Sequence, residues 1–330
     1  MRRIIAIAVC LSLAPALAEA QCGGTDLVAA LKDTDEASYN ILFDRAHAVP
    51  NAQGVFWKVT AGDAPPSYLF GTFPDPGLAE HALTPAVSDA LKGARLVMVE
   101  MTAAEQKRLD ENLQSDPAYA INIDRSGLTA QLTPDERTMA ETELTERGVP
   151  FEIVDKLRPP ILYSILSVPL CVTKQVQGGE KTLSDAVDAA AQAAGVPIAG
   201  LETIERALGS VAAVPAIDVI LLAGLRNLNR EEDLHRTTVE LYKQGEVSAM
   251  WEFGTLAVER AVGIGPGREA MEQLDALMLG TRSKAWVEVM APELTKGGVF
   301  VAVSAAHFPG PDGLVELLRA LDFTVMRLDG

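Results

Sequence analysis

The chain has 330 residues, of which 48% are hydrophobic and 22% are charged, so it is long and apolar enough to bury a core and too apolar to be intrinsically disordered. Its 45 acidic residues outnumber its 28 basic residues, which leaves a formal net charge of −17. Nucleic acid and anionic lipid are therefore poor partners, because binding to either needs a basic surface. The composition predicts an acidic globular protein.

The first twenty residues have the form of a secretory signal peptide. Two arginines precede an apolar run over residues 4–17, and Ala18-Glu19-Ala20 fits the A-x-A cleavage rule. We predict cleavage after Ala20 and a periplasmic or secreted location, with lipidation at Cys22 as the alternative. No later segment has eighteen uninterrupted apolar residues, so we expect no transmembrane segment after cleavage.

Two cysteines remain after cleavage, Cys22 and Cys171. An exported protein with two cysteines most simply forms one disulfide. The alternative is a pair of separate buried thiols. Neither cysteine is near a histidine or another cysteine in the sequence, so thiolate catalysis and zinc binding have little support.

The N-terminal part of the mature chain alternates between helical and strand-like segments. The hydrophobic pattern predicts two short helices within residues 25–48, a hairpin of strands 55–59 and 67–73, a helix over 85–92 and a buried strand over 95–100.

The rest of the chain is mostly helical and ends with further strands. We predict helices across residues 102–195 with N-caps at Thr133 and Thr182, a strand over 196–202, helices across 213–290 that stop at Pro292, a strand over 298–304, a helix over 312–321 and a strand over 324–328. No linker or fixed-period repeat divides the chain. This order predicts an α/β or α+β fold in which N- and C-terminal strands form a mixed central sheet with a large helical insertion, and a single domain over residues 21–330.

Three polar residues follow apolar strands, where α/β folds place functional side chains. They are Glu100, Glu202 and His307. A carboxylate at the end of a buried strand is costly unless it is paired, hydrogen-bonded or bound to a metal. An ion-paired or capping role is the alternative for the two glutamates, and a structural role is the alternative for His307. His47 and His235 are predicted to lie on the surface.

Five segments occur in the order seen in the TraB/GumN family, which this chain resembles over nearly its whole mature length. They are SYLFGTF at 67–73, VMVE at 97–100, GLET at 200–203, TRS at 281–283 and VAVSAAHFPGPDGL at 301–314. The family is similar to the Tiki proteins, which are membrane-tethered metal-dependent proteases, and more distantly to the erythromycin-esterase/ChaN-like group. The resemblance implies an α/β sheet with helical insertions and a site where two G-x-x-H motifs and acidic residues hold a divalent metal such as manganese, cobalt or zinc.

The first of these motifs is degenerate. Gly71 and Thr72 are present, but Pro74 stands where the family has histidine. Proline offers no side-chain lone pair, so one ligand or acid–base group is missing. Asp75 and His81 are the nearest substitutes.

The second motif and the arginine segment also depart from the family pattern. Ser304 replaces the glycine of the second motif, although His307 remains, and Ser283 follows Arg282 where the family has asparagine. Pro74 is the feature that favours a pseudoenzyme, which acts as an extracytoplasmic binding or scaffolding protein for an unidentified peptide or small molecule.

The alternative is an active metal-dependent hydrolase of the peptidase type. In that interpretation Glu100, His307 and Glu202 bind the metal ion, and Arg282 orients the substrate or stabilises charge. Glu100, His307 and Arg282 would then be the catalytic residues. A cofactor or metal carrier is a third, weaker possibility, suggested only by the distant haem-binding relatives.

Overall fold

The computed structural model describes residues 22–329. The predicted signal peptide, residues 1–20, lies outside the described residues. Strands β1 to β6 span Phe56–Thr60, Ser67–Thr72, Leu96–Val99, Ile198–Gly200, Val299–Ser304 and Thr324–Arg327. In this part of the chain they form one sheet in the order β4-β3-β5-β2-β1-β6. The four strands from β4 to β2 are parallel, while β1 pairs antiparallel with β2 and β6. The predicted mixed sheet of N- and C-terminal strands is therefore confirmed.

Helices surround this sheet and fill the middle of the chain. Helices α1 to α17 span Leu27–Thr34, Glu36–His47, Ala79–Ala82, Pro85–Lys92, Ala103–Ser115, Pro117–Ala120, Pro134–Glu146, Pro159–Ser167, Leu170–Gln177, Leu183–Ala193, Ile204–Ala212, Ile217–Asn227, Glu231–Lys243, Val247–Val262, Ile264–Leu274, Arg282–Lys296 and Leu314–Arg319. Short 3₁₀ turns span Pro76–Leu78, Thr129–Gln131, Phe151–Lys156, Leu228–Arg230 and Ala305–His307, and a π-helix spans Asp275–Thr281.

Several helices begin at the residues that the sequence predicts. The hydroxyl of Thr133 accepts a hydrogen bond from the Glu136 N–H, and the Glu136 carboxylate accepts one from the Thr133 N–H. Thr182 and Asp185 form the same reciprocal arrangement at the start of α10. Each capping box satisfies two backbone donors that would otherwise lack a partner, so these N-termini are fixed locally.

Strand β5 lies at the centre of the sheet and contributes to both of its cores. Val299, Val301 and Val303 pack with α16 and α17, whereas Phe300 and Ala302 pack in the opposite core with α4, α10 and α13. Successive residues of a strand point to opposite faces, so an all-apolar strand indicates a sheet covered on both sides. A separate apolar core joins α7, α8, α12 and α15 in the helical middle.

A disulfide joins the N-terminal segment to α9. Cys22 and Cys171 are bonded, with their Cα atoms 5.2 Å apart. The predicted pairing is present, rather than two separate thiols.

The predicted helix stop at Pro292 is wrong, because α16 continues through this proline to Lys296. Met290 and Leu294 on either side of it are both buried against the sheet. Their burial offsets the hydrogen bond that the exposed proline cannot make. The helix instead ends at Gly297, whose φ of 74° lies in the left-handed region.

No single helix among the described residues is long and apolar enough to cross a membrane. The helical stretches Ile204–Ala212 and Ile217–Lys243 reach the required length and hydropathy only as a pair, across a bend of 93°.

Candidate functional site

The parallel strands bring the predicted site residues to one edge of the sheet. Thr72 ends β2, Glu100 follows β3, Glu202 follows β4, and His307 follows β5. The carboxyl ends of parallel strands lie at the same edge, which is where ligands bind in open α/β sheets. The structure thus places Glu100, Glu202 and His307 together, as their positions after strands predict.

Arg282 lies between the two glutamates. Its Nε donates to Glu202 Oε1 at 3.0 Å, and its Nη2 donates to Glu100 Oε2 at 3.0 Å and to Glu202 Oε1. The Glu202 side chain is completely buried, while that of Glu100 is 25% exposed and reaches the solvent side. Burial alone would lower the pKa of Arg282, but the hydrogen bonds and charges of the two glutamates outweigh it and raise that pKa. The guanidinium is therefore a permanent cation held by two carboxylates.

His307 is buried beside this ion-pair network. Its Nδ1 lies 2.9 Å from Ser283 Oγ, and its Nε2 lies 3.5 Å from Arg282 Nη1. Burial, and secondly the charge of Arg282, holds the pKa of His307 well below its ordinary value of 6.5. A guanidinium can only donate, so the network assigns the proton of the neutral ring to Nδ1. We call Glu100, Glu202, Arg282, Ser283 and His307 the arginine cluster.

The π-helix Asp275–Thr281 delivers Arg282 and Ser283 to this cluster. Arg282 is the first residue of α16, and its Nη1 donates back to the Met278 carbonyl within the π-helix at 3.1 Å. One helical turn later, Trp286 lies beneath the guanidinium, which is 4.7 Å from its ring centroid. A π-helix shifts the faces of a helix relative to one another and is frequent at functional sites. Here it sets the direction of two neighbouring side chains.

An open crevice of about 280 Å³ lies beside the arginine cluster. Glu100 and the motif residues Thr72 and Pro74 line it, together with Asp185 and Asp188 from α10. The Oδ1 atom of Asp188 is buried without a hydrogen-bond partner. Burial, and secondly the charge of Asp185, raises the pKa of Asp188. The crevice therefore exposes negative charge, and one of its carboxylates lacks compensation.

Neither predicted substitute for the missing histidine lines this crevice. Asp75 is buried and accepts a hydrogen bond of 2.7 Å from His235 Nε2, so its carboxylate is held by α13. His81 is exposed on the short helix α3. Their role as substitute ligands stays a prediction, but Asp75 would have to leave His235 to fill it.

The predicted surface position of His235 is wrong. The ring is buried and stacks on Phe73, with ring centroids 5.8 Å apart. His235, Val239 and Tyr242 are spaced by four and three residues, so they share the inward face of α13. This spacing was the sequence feature that could have indicated a buried histidine. The charged residues next to His235 favoured a surface position instead. His47, in contrast, is exposed as predicted.

A profile of the TraB/PrgY/gumN family matches residues 55–327. The chain belongs to the TraB/PrgY/gumN family. The match begins just before β1 and ends with β6, so it includes the whole sheet and the arginine cluster. No curated protein and no solved structure was found to match the chain.

The arginine cluster does not fit the divalent metal that the TraB/GumN resemblance implies. The guanidinium of Arg282 already bonds both carboxylates, and its charge would repel a second cation at that point. Among residues 22–329 no three histidine, cysteine or acidic side chains are arranged to hold a metal ion. We derive no step through a metal, and the metal-binding and catalytic roles of Glu100, Glu202 and His307 stay predictions.

Three further residues belong to this TraB-family site, although the sequence interpretation gave no site role to Trp286 or Asp188 and treated Ser283 only as a departure from the family pattern. Ser283 bonds His307, Trp286 packs against both the guanidinium and the imidazole, and Asp188 lines the crevice. Trp286 stands four residues after Arg282, a spacing that places two side chains on one helical face. No comparable signal exists for Asp188, because its helix reaches the crevice only through the tertiary fold.

Proposed function

We propose that this chain is an exported TraB-family protein that has lost metal-dependent hydrolysis and acts outside the cytoplasm by binding a ligand. One observation carries the proposal: Arg282 bonds both Glu100 and Glu202 at the place where the family resemblance implies a metal ion. Export is supported by the signal-peptide pattern that ends at Ala20.

The chemistry of the arginine cluster favours binding over hydrolysis. A metal hydrolase needs an ion with an open coordination position, where water loses a proton to become the nucleophile. Here the carboxylates neutralise a guanidinium instead, and Pro74 contributes no ligand at the crevice. His307 is neutral, but its Nδ1 faces Ser283 and its Nε2 faces Arg282, so its ring nitrogens are engaged within the cluster.

The crevice favours a ligand that carries positive charge. Glu100, Asp185 and Asp188 line it, and the buried oxygen of Asp188 has no partner. A carboxylate oxygen that is shielded from water and has no partner is costly, and an ammonium or guanidinium group that pairs with it regains that energy. A basic peptide or small amine is therefore the ligand class that we propose.

Metal retention tests the loss of hydrolytic chemistry. The mature protein, Pro74→His and His307→Ala are incubated with manganese, cobalt or zinc, desalted and analysed for bound metal. We expect the wild type to retain far less than one ion per chain. Near-stoichiometric metal in the wild type that His307→Ala abolishes would contradict the proposal and favour the active hydrolase.

The Pro74→His variant adds a second comparison. If it alone retains metal, the ancestral scaffold is intact and Pro74 accounts for the loss. If neither protein retains metal, the inference of an ancestral metal site from these residues is wrong.

Titration with charged peptides tests the binding function. Calorimetry compares Lys-Ala-Lys with Glu-Ala-Glu on the wild type, on Asp188→Asn and on the control Asp110→Asn, which removes an exposed carboxylate from α5. We expect only the basic peptide to bind, with at least tenfold weaker affinity for Asp188→Asn and unchanged affinity for Asp110→Asn. Equal weakening by both variants would indicate a general charge effect, and the crevice would not be the site.

A further inference from the structure

A second cavity lies in the helical middle of the chain, on the other side of the first motif from the crevice. Its volume is about 340 Å³, and helices α8, α12, α13, α14 and α15 form its walls. Its apolar lining includes Leu221, Leu234, Met250, Trp251, Phe253 and Leu274. We call it the helical cavity. Phe73 contributes to its wall, while the preceding and following residues line the crevice.

A glycine within a helix helps to leave this space open. Gly254 lies in the middle of α14 and lines the helical cavity, and a Cβ atom built on it would meet no atom within 4 Å. Glycine in a helix interior costs about 1 kcal/mol relative to alanine. No packing contact explains this glycine, because the position has room for a side chain. The residue does, however, widen the helical cavity.

Most of the polar side chains on the wall of the helical cavity already have partners inside the protein. His235 bonds Asp75, Thr238 donates to the Leu234 carbonyl, and Asn227 donates to the Ala257 carbonyl. Glu231 pairs with Arg147 and accepts the Leu170 N–H. A polar ligand would therefore leave most of its own hydrogen-bonding groups unsatisfied in this space, which is costly in an apolar surrounding.

The size of the helical cavity points to an occupant. Small-molecule sites are mostly preformed apolar pockets that carry a few polar groups, and the helical cavity has this form. It opens to solvent, so a ligand that enters it would remove a mostly apolar lining from water. A volume of about 340 Å³ is roughly twice that of a ~150 Å³ apolar cavity that takes up benzene. It thus holds about a dozen non-hydrogen atoms of an apolar molecule, and because it opens to solvent a somewhat larger ligand can extend from it.

We propose that the helical cavity is a binding site for a small, predominantly apolar molecule, such as a medium-length acyl chain, separate from the charged crevice. Binding removes the apolar lining and the apolar ligand from water together, which supplies the affinity. Filling the space from Gly254 should block it. The proposal does not depend on the function proposed for the crevice.

A neutral fluorescent probe and a matched pair of glycine variants test this site. N-phenyl-1-naphthylamine is titrated into the mature protein, into Gly254→Leu and into Gly209→Leu. Gly209 is the control because it also lies within a helix with nothing within 4 Å of its added Cβ, but it is exposed on α11 and remote from the lining. Both substitutions raise helix propensity, but only Gly254→Leu fills the helical cavity. A difference in probe affinity between the two variants therefore reports the filling of the cavity.

We expect saturable binding of one probe per chain, weakened at least tenfold in Gly254→Leu and changed less than twofold in Gly209→Leu. Straight-chain alcohols of eight to twelve carbons should displace the probe, whereas butanol at equal concentration should not. Excitation of tryptophan should sensitise the bound probe, because Trp251 lines the helical cavity, and Trp251→Phe should reduce that transfer.

Unsaturable binding, or equal affinity in the wild type and a folded Gly254→Leu, would overturn the proposal. Circular dichroism and thermal unfolding establish that each variant folds. If Gly254→Leu does not fold, Ala257→Met takes its place in the comparison. Ala257 lines the helical cavity about one turn further along α14, so the longer side chain fills the cavity from the same wall.

Discussion

Arg282 is the residue on which the candidate site depends electrostatically. It is buried, as is Glu202, and the guanidinium compensates two carboxylates at once. A buried ion pair contributes little net stability, because the cost of desolvation offsets the attraction between the charges. Loss of one member is nevertheless costly, because it leaves a buried charge uncompensated. The sequence suggested a catalytic or substrate-orienting role for Arg282, and the geometry adds a structural one.

The first prediction concerns this compensation. Arg282→Met should lower the free energy of unfolding by about 3–5 kcal/mol, because two carboxylates lose their partner. Urea unfolding measures the change. Arg108→Met is the control, since Arg108 pairs with glutamates at the surface and should cost less than about 1 kcal/mol. Equal costs for the two variants would mean that the arginine cluster contributes no more than a surface pair.

Asp188 leads to a prediction about pH. Its pKa is raised in the folded protein, so the folded state binds its proton more tightly than the unfolded state does. The stability that this tighter proton binding contributes is present below the ordinary pKa of 3.8. It is lost as the pH rises through the pKa of Asp188 in the folded state. Asp188→Asn should therefore stabilise the protein at pH 7 by about 1 kcal/mol and have little effect at pH 3.5.

Thermal unfolding of both proteins at the two pH values measures this difference. A stabilisation of equal size at pH 3.5 would show that the ionisation of Asp188 is not its cause. Asp110→Asn, on an exposed helix face, should change the melting temperature little at either pH.

At the scale of single elements, β2 approaches the turn after β5 so closely that only glycine fits at position 71. A Cβ on Gly71 would lie 2.8 Å from Ala305 Cβ and 2.9 Å from Ala305 Cα. The Gly71 carbonyl also accepts a hydrogen bond of 2.7 Å from the Tyr242 hydroxyl. This glycine of the degenerate first motif thus has a packing role that is independent of metal binding.

We predict that Gly71→Ala lowers the free energy of unfolding by about 1–3 kcal/mol, because the methyl group forces two packed elements apart. Chemical denaturation measures it. Gly209→Ala is the matched control: its added Cβ meets nothing, so it should leave stability unchanged or raise it by up to about 1 kcal/mol. A neutral Gly71→Ala would mean that the Ala305 turn moves away at little cost.

Two other elements show where local patterns mislead. In α16, Pro292 is a local helix breaker, but the burial of neighbouring side chains keeps the helix continuous to Lys296. In α13, the charges around His235 suggest an exposed helix, although this ring faces the interior and bonds Asp75. In both cases tertiary burial outweighs a local preference, which is a weak determinant by comparison.

For the whole molecule, the disulfide ties the N-terminal segment to the helical middle. Cys22 and Cys171 are 149 positions apart, so their bond restricts a large part of the unfolded chain. In the chain-entropy model, a disulfide that closes a loop of this size raises the free energy of unfolding by about 3–5 kcal/mol. Reduction should therefore lower the urea midpoint clearly, and Cys22→Ser/Cys171→Ser should unfold like the reduced wild type.

Comparison of unfolding with and without reductant measures this effect. The double serine variant is the control, because its midpoint should not respond to reductant. An unchanged wild-type midpoint would indicate that the unfolded state or native strain cancels the entropic gain.

Much of the architecture follows from patterns within short segments. Apolar runs placed the strands, and capping residues such as Thr133 and Thr182 placed helix starts, because periodicity and end groups act over a few residues. The strand ends also identified Glu100, Glu202 and His307 as neighbours, since parallel strands share one edge. The signal peptide, the location and the single-domain organisation remain predictions.

The sequence by itself determined the α/β class, the strand-end residues and, through the two cysteines that follow the predicted signal peptide, the disulfide, because each follows from composition or local spacing. The tertiary structure alone decided that Arg282 bonds Glu202 and Glu100, which are 80 and 182 positions away. It also decided that Asp75 bonds His235 and that a cavity remains among the helices. Contacts between residues that are far apart in the sequence depend on how whole elements pack, and no local pattern specifies that packing.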